Sequence, residues 1–244
     1  MTTTRIAMWS CPRTVSTALL RSFAERPDTI GVDEPLYAHY LATSGKLHPM
    51  REEILASQQQ NWSQVVEEVL LGPCERPLQF VKHMAHHLEG GVDTSFAMAP
   101  SMRNIFLIRN PREMLVSLQR DLGELERFDT GFGRQLELYQ RLRKAGRCAA
   151  VVDSSELLAN PEGMLKTICA AVGIDFHPCM LQWSAGNHSC YGVWAPAWYA
   201  KVLTSTSFRA YQAKTEPFPP ELEALHDWAS TIYKELRAER LQAS

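Results

Sequence analysis

Three groups of residues in this chain have the types and spacing to do chemistry. The first is Ser10-Cys11-Pro12-Arg13-Thr14-Val15-Ser16-Thr17, a run of hydroxyls around a single cation. It lies between an apolar stretch, Arg5–Trp9, and a segment, Thr17–Arg26, whose Ala18, Leu19, Phe23 and Ala24 recur at helical spacing. A strand that feeds a helix through such a loop makes an anion site. The first N–H groups of a helix have no partner within it, and the helix dipole adds partial positive charge there. The glycine-rich pattern G-x-x-x-x-G-K-[ST] is absent, so the same hydroxyls also suit plain helix capping. The second group is Arg109 with Ser117. Arg109 ends an apolar run, Asn110-Pro111 opens a helix in the favoured order, and Ser117 follows two turns in, a second anion site with a fork that can bind phosphate through two bonds.

The third group could move protons. Glu34 follows a short apolar stretch, Thr29–Asp33. In an open parallel sheet ligands gather at the carboxyl ends of strands, so Glu34 is placed to accept a proton from a hydroxyl, or else to pair with Arg13. His83, His86 and His87 follow the stretch Leu78–Lys82. The i,i+4 spacing of His83 and His87 is compatible with zinc. Met84, however, stands where an H-E-x-x-H helix carries its glutamate, and no cluster of further ligands follows, so no metal is expected. A histidine here serves as proton acceptor or donor, or is structural. Cys11 is either a thiol activated by the helix N-terminus or a small loop filler.

The elements that must position these residues alternate. Strands are expected at Arg5–Trp9, Thr29–Asp33, Leu78–Lys82, Arg103–Arg109 and Cys148–Asp153, with amphipathic helices between them, which is the α/β pattern. Leu36–Leu71 reads as mostly helical up to Gly72-Pro73, Phe176–Phe208 as loop, and Pro219–Leu241 as a final helix. Ser205-Thr206-Ser207-Phe208, followed by Arg209, either covers a ligand with hydroxyls and a ring or is an ordinary turn. No linker divides the chain, so residues 1–244 are expected to form one domain. The formal charge of −2 argues against a general nucleic-acid binder. The absence of a signal-peptide pattern, of any apolar run of about 18 residues and of C-x-x-C pairs among the six cysteines points to a cytoplasmic chain with reduced thiols and no membrane partner.

Four segments together resemble the sulfotransferase family, whose donor is 3′-phosphoadenosine 5′-phosphosulfate (PAPS). SCPRTVSTALL at Ser10–Leu20 resembles the 5′-phosphosulfate loop, P-[KR]-S-G-[ST]-T. RNPREMLVS at Arg109–Ser117 resembles the 3′-phosphate motif R-[ND]-P-x-x-x-x-x-S. Asp153–Phe176 resembles the YEDL element that follows it, and STSF at Ser205–Phe208 resembles an S-T-G-F-like segment near the cofactor. The K-T-H motif of cytosolic members is echoed loosely by Lys82-His83-Met84. Glu34 matches the glutamate that is the base in some bacterial carbohydrate sulfotransferases.

The resemblance implies a P-loop-like three-layer α/β/α fold with a central, mostly parallel sheet of about five strands. It implies sulfuryl transfer from PAPS to a hydroxyl or amine of a small-molecule acceptor, with 3′-phosphoadenosine 5′-phosphate (PAP) as product and no metal. Residues Ser10 to Thr17, Arg109, Ser117, Ser205, Thr206, Ser207 and Phe208 would hold the donor. Arg13 would neutralise developing charge, and Glu34 would be the base with His86 and His87 as alternatives. Val15, where the family has glycine, calls for a loop without positive φ at that position, unless strain is tolerated there. A P-loop kinase and a non-catalytic nucleotide-binding protein on the same fold remain alternatives, a homodimer is left open, and the acceptor pocket is expected from Leu36–Met50 and Phe176–Tyr199.

Overall fold

Strand β1 (Thr4–Ser10) alternates its side chains between two apolar cores: Ile6 and Met8 on one face, Ala7 and Trp9 on the other. A strand buried on both faces belongs inside a parallel sheet covered by helices, and the computed structural model, which describes residues 3–212 and 217–243, has that architecture. After β1 come helix α1 (Ser16–Ala24), β2 (Thr29–Asp33), α2 (Tyr37–Ser44), β3 (Leu78–Met84), β4 (Met102–Ile108), α3 (Pro111–Leu122), α4 (Phe132–Lys144), β5 (Cys148–Asp153), α5 (Pro161–Val172) and α6 (Glu223–Ala238). The five strands pair in parallel in the order β2-β3-β1-β4-β5. Helices α1 and α5 pack on the Ile6/Met8 face, and α3, α4 and α6 on the Ala7/Trp9 face, giving three layers.

Local chemistry sets the ends of these elements. Asn110 and Asn160 cap α3 and α5 by accepting from Arg112 N and Gly163 N, and a proline follows each cap at the first helical position. Gly173 closes α5 at φ 77, in the left-handed region that glycine adopts without strain.

Two expectations change. The stretch expected to be mostly helical is broken after α2 by Gly45, resumes at Arg51–Ser57, and from Val65 to Leu70 widens into a π-helix. The carbonyls of Leu71 and Gly72 at its end are taken by the buried guanidinium of Arg5. The final helix stops at Ala238 rather than Leu241, because the chain beyond it pairs with the outer edge of the sheet: Leu241 N donates to Val151 O at 2.8 Å. Among the described residues no helix is long and apolar enough to cross a membrane.

One side chain ties the fold to the site edge. Gln135 of α4, fully buried, donates through Nε2 to Trp9 O and Leu107 O, each at 3.0 Å, at the carboxyl ends of β1 and β4. Gln135→Ala strips both carbonyls of that donor in a dry interior. Unfolding by urea should show a loss of about 2–6 kcal/mol, at roughly 1–3 kcal/mol for each of the two carbonyls left unpaired.

Candidate active site

The loops that leave the strands' carboxyl ends surround a cleft of about 1160 Å³. Its floor is the turn between β1 and α1. Thr14 Oγ1 donates back to Cys11 O at 2.8 Å, and α1 carries no side-chain cap, so the hydroxyls of this loop are not helix caps. The backbone N–H groups of Arg13 to Thr17 meet no acceptor among the described residues. Arg13 and Val15 both have positive φ, 61° and 71°, with Thr14 between them at negative φ. That alternation turns successive N–H groups toward one side, which is an anion-binding nest, here joined to a helix N-terminus.

Of the two alternatives for Val15 the strained one is found: the loop has the left-handed turn that glycine takes freely, with a β-branched side chain in it. Such a residue costs on the order of 1–3 kcal/mol and persists only where its surroundings hold it. Arg109 Nη1 donates to Arg13 O at 2.9 Å, and Arg13 Nε reaches Ser117 Oγ at 3.1 Å and Asp121 Oδ2 at 3.3 Å. The two sequence segments singled out as anion sites are therefore bonded to each other.

Facing the floor is a buried ion cluster. Lys82, at the carboxyl end of β3, is 1% exposed. Its Nζ lies 2.7 Å from Glu34 Oε1, 3.0 Å from Asp33 Oδ1, 3.1 Å from Thr17 Oγ1 and 2.6 Å from Tyr199 OH, four oxygens for three ammonium protons. Asp33 is satisfied on both oxygens, since Oδ2 accepts from Tyr199 OH at 2.8 Å and Gly192 N at 3.1 Å. Glu34 is held differently. Its backbone sits at φ 41, its N–H donates to Lys82 O, and its Oε2 lies 3.7 Å from His87 Nε2, beyond hydrogen-bond distance. Burial raises the Glu34 carboxyl above the usual carboxylate range against the pull of Lys82, while the two carboxylates keep Lys82 protonated.

The three histidines are core residues in their packing. His83 stacks on Trp9 with ring centroids 4.2 Å apart. His87 lies between Tyr37 and Tyr40, at 4.7 and 4.9 Å. Neither ring nitrogen of His83 or His87, nor Nδ1 of His86, has a hydrogen-bond partner among the described residues. Burial pushes His83 and His86 down to about 3 and His87 well below its ordinary value.

Of the residues singled out by the sequence, Pro12 to Thr17, Glu34, His86, Arg109, Ser117, Ser205 and Ser207 line the cleft. Five lie off it, and for their side chains the reading is revised. Ser10 Oγ donates to His83 O, and Cys11 is buried against Gln135 with its thiol pushed up by burial, so it is no activated nucleophile. His87 is behind its tyrosines, Thr206 is exposed, and Phe208 packs edge-on against Trp183 in the core. Sequence reading passed over Lys82, Asp33 and Tyr199 as site residues. A lysine closing an otherwise apolar strand, directly before a carboxylate-rich strand end in space, was the available signal. From the two segments expected to form an acceptor pocket, Tyr37, Tyr40, Trp194 and Trp198 line the cleft as an aromatic wall. Among the described residues no group of three or more His, Cys, Asp or Glu side chains is arranged to hold a metal ion.

Comparison with known proteins identifies the family and agrees with the fold. The family model of the sulfotransferase domain matches residues 4–238, and the chain belongs to that family. It is 34% identical over 233 residues to branched-chain-amino-acid aminotransferase-like protein 1 of Arabidopsis thaliana, and 32% identical over 232 residues to protein 2 of the same name. The matches cover 96% and 95% of this chain but only 41% of each plant protein. The fold is shared with the sulfotransferase domain of the curacin biosynthetic pathway (TM-score 0.58, 15% identity, 97% of this chain and 98% of that one). It is also shared with the sulfotransferase domain of the Synechococcus PCC 7002 olefin synthase (0.52, 17%, 93% and 95%) and a sulfotransferase from Alicyclobacillus acidocaldarius (0.53, 12%, 97% and 96%).

Two consequences can be measured. Lys82→Met leaves two buried carboxylates uncompensated and should lower stability in denaturant unfolding by about 3–5 kcal/mol. The histidines set a pH dependence. Their folded-state values are depressed, so between about 3 and the ordinary 6.5 the unfolded chain binds more protons than the folded one. Stability should therefore fall as pH is lowered from 6.5 toward 3, and His83→Phe should flatten that slope by one proton's share.

Proposed function

We propose that the chain transfers a sulfuryl group from PAPS to a hydroxyl or amine of a small-molecule acceptor and releases PAP. The observation that carries this reading is the row of open N–H groups from Arg13 to Thr17, facing the Glu34–Lys82 pair across one cleft. The residues present fit the donor. An anion nest at a helix N-terminus suits the 5′-phosphosulfate, and Arg109 and Ser117, on the same cleft and bonded to the loop, suit the 3′-phosphate. When bound, PAPS supplies an activated sulfuryl group on a phosphate leaving group. This chain's own residues then position the reactants and neutralise charge. The loop N–H groups and Arg13 serve the oxygens that gain negative charge.

Glu34 takes the acceptor's proton at Oε2. Its Oε1 is occupied by Lys82 and Tyr199, and Asp33 has no oxygen to spare. A carboxyl raised by burial is a better proton acceptor near neutrality than an ordinary one. His86 also lines the cleft, but burial disfavours the imidazolium that a base must become. The acceptor would rest against the aromatic wall beside Glu34. The plant relatives' name describes proteins more than twice as long as the matched region, and it does not define an acceptor for this chain.

Calorimetry of PAP binding tests the donor, with ATP as control at fixed salt. Arg109→Ala should weaken PAP by more than tenfold, the loss of a phosphate contact worth roughly 1.5–3 kcal/mol. Equal binding of ATP and PAP by the unaltered protein would overturn the reading. Once an acceptor is in hand, Glu34→Gln should lower kcat by about 10²–10⁴-fold with PAP affinity kept. An unchanged kcat would remove Glu34 as the base.

A further inference from the structure

Arg109 is gripped from one side before any phosphate reaches it. Glu113, one turn into α3, accepts through a single oxygen, Oε2, from Arg109 Nε at 3.0 Å and Nη2 at 2.9 Å. Nη1 donates to Arg13 O. A guanidinium has five N–H groups, so three are engaged and two remain, one on each terminal nitrogen, on a side chain that lines the cleft. The other oxygen of Glu113, Oε1, accepts from Tyr211 OH at 2.5 Å. Tyr211 comes from the segment after Ser207, far along the chain, and is itself on the cleft. Glu113 is buried, with its two oxygens turned to different partners.

A carboxylate beside a phosphate-binding cation is costly by charge alone, because it repels the incoming phosphate. What it supplies in exchange is order: a long side chain that is already fixed loses less freedom on binding. Resting on the reading of Arg109 as the 3′-phosphate ligand, we propose that Glu113, braced by Tyr211, is the positioning residue that makes the donor site selective for a 3′-phosphorylated nucleotide. Glu113 acts through Arg109: it holds the side edge of the guanidinium and so directs the two remaining N–H groups at the phosphate. Through the bond from Arg109 to Arg13 O, the same grip reaches the backbone of the strained loop.

The two effects of Glu113, repulsion and positioning, predict opposite signs, which makes the test decisive. Calorimetry compares PAP with AMP, which lacks the 3′-phosphate, on the unaltered protein, Glu113→Gln and Tyr211→Phe. Positioning predicts that Glu113→Gln lowers PAP affinity by about tenfold while AMP affinity holds, so that the PAP/AMP ratio falls. Tyr211→Phe should lower the ratio in the same direction by about threefold, and it decides the matter if Glu113→Gln does not fold. A PAP affinity that is unchanged or tighter in Glu113→Gln, or an equal loss for PAP and AMP, overturns the inference while leaving the donor reading intact. An unaltered protein that binds PAP no better than AMP overturns both.

Discussion

The ammonium of Lys82 organises the site edge of this molecule. A buried charge is tolerable only when it is paired and hydrogen-bonded, and Lys82 meets that demand by gathering oxygens from β2, α1 and the Tyr199 segment around a single nitrogen. Its neighbours inherit their roles from it. Asp33 is spent on structure, while Glu34 is held by one oxygen with the other left over. Tyr199 brings with it Trp194, whose Nε1 donates to the same hydroxyl at 2.8 Å, and so anchors the aromatic wall to the ends of the strands. The carboxylate proposed as base and the wall proposed to receive the acceptor are thus fixed by one cation that does not itself accept a proton.

A second constraint acts on the opposite side of the cleft. The loop after β1 holds two non-glycine residues at positive φ, a shape that its own side chains do not favour. Cross-bonds to the turn after β4 and to α3 hold it: Arg109 to the backbone of Arg13, and the Arg13 side chain to Ser117 and Asp121. The loop's geometry is therefore a property of two segments about a hundred residues apart, and the open N–H groups are what the strain maintains.

Much of this was legible from the sequence. Apolar runs bounded by turn residues gave the strands, and their alternation with amphipathic helices gave the layered fold. The cleft residues of the loop, Glu34, Arg109 and Ser117 follow from one rule, that parallel strands deliver their carboxyl ends to the same edge. The rest depended on contacts that spacing does not encode. Tyr199 reaches Lys82 across 117 positions from a stretch that reads as loop. Three clustered histidines resemble chemistry on paper, yet they are packed as aromatic core, because burial among Trp9, Tyr37 and Tyr40 removes their charge. Val15 left two backbones open on paper, because propensity describes what a residue prefers alone, not what its neighbours enforce.

The strand order has a kinetic corollary. β1 sits in the middle of the sheet, and both of its ladders are made with distant partners: Arg5 pairs with Gln79 on one side and with Met102 on the other. Parallel pairing of this kind must close long loops before it gains anything, which slows assembly. The loop at residues 10–17, although local in sequence, holds its shape only once β4 is paired, because Arg109 just after β4 bonds to its backbone. Until β4 pairs, the central strand presents an open edge, and the chain is exposed to wrong pairing there.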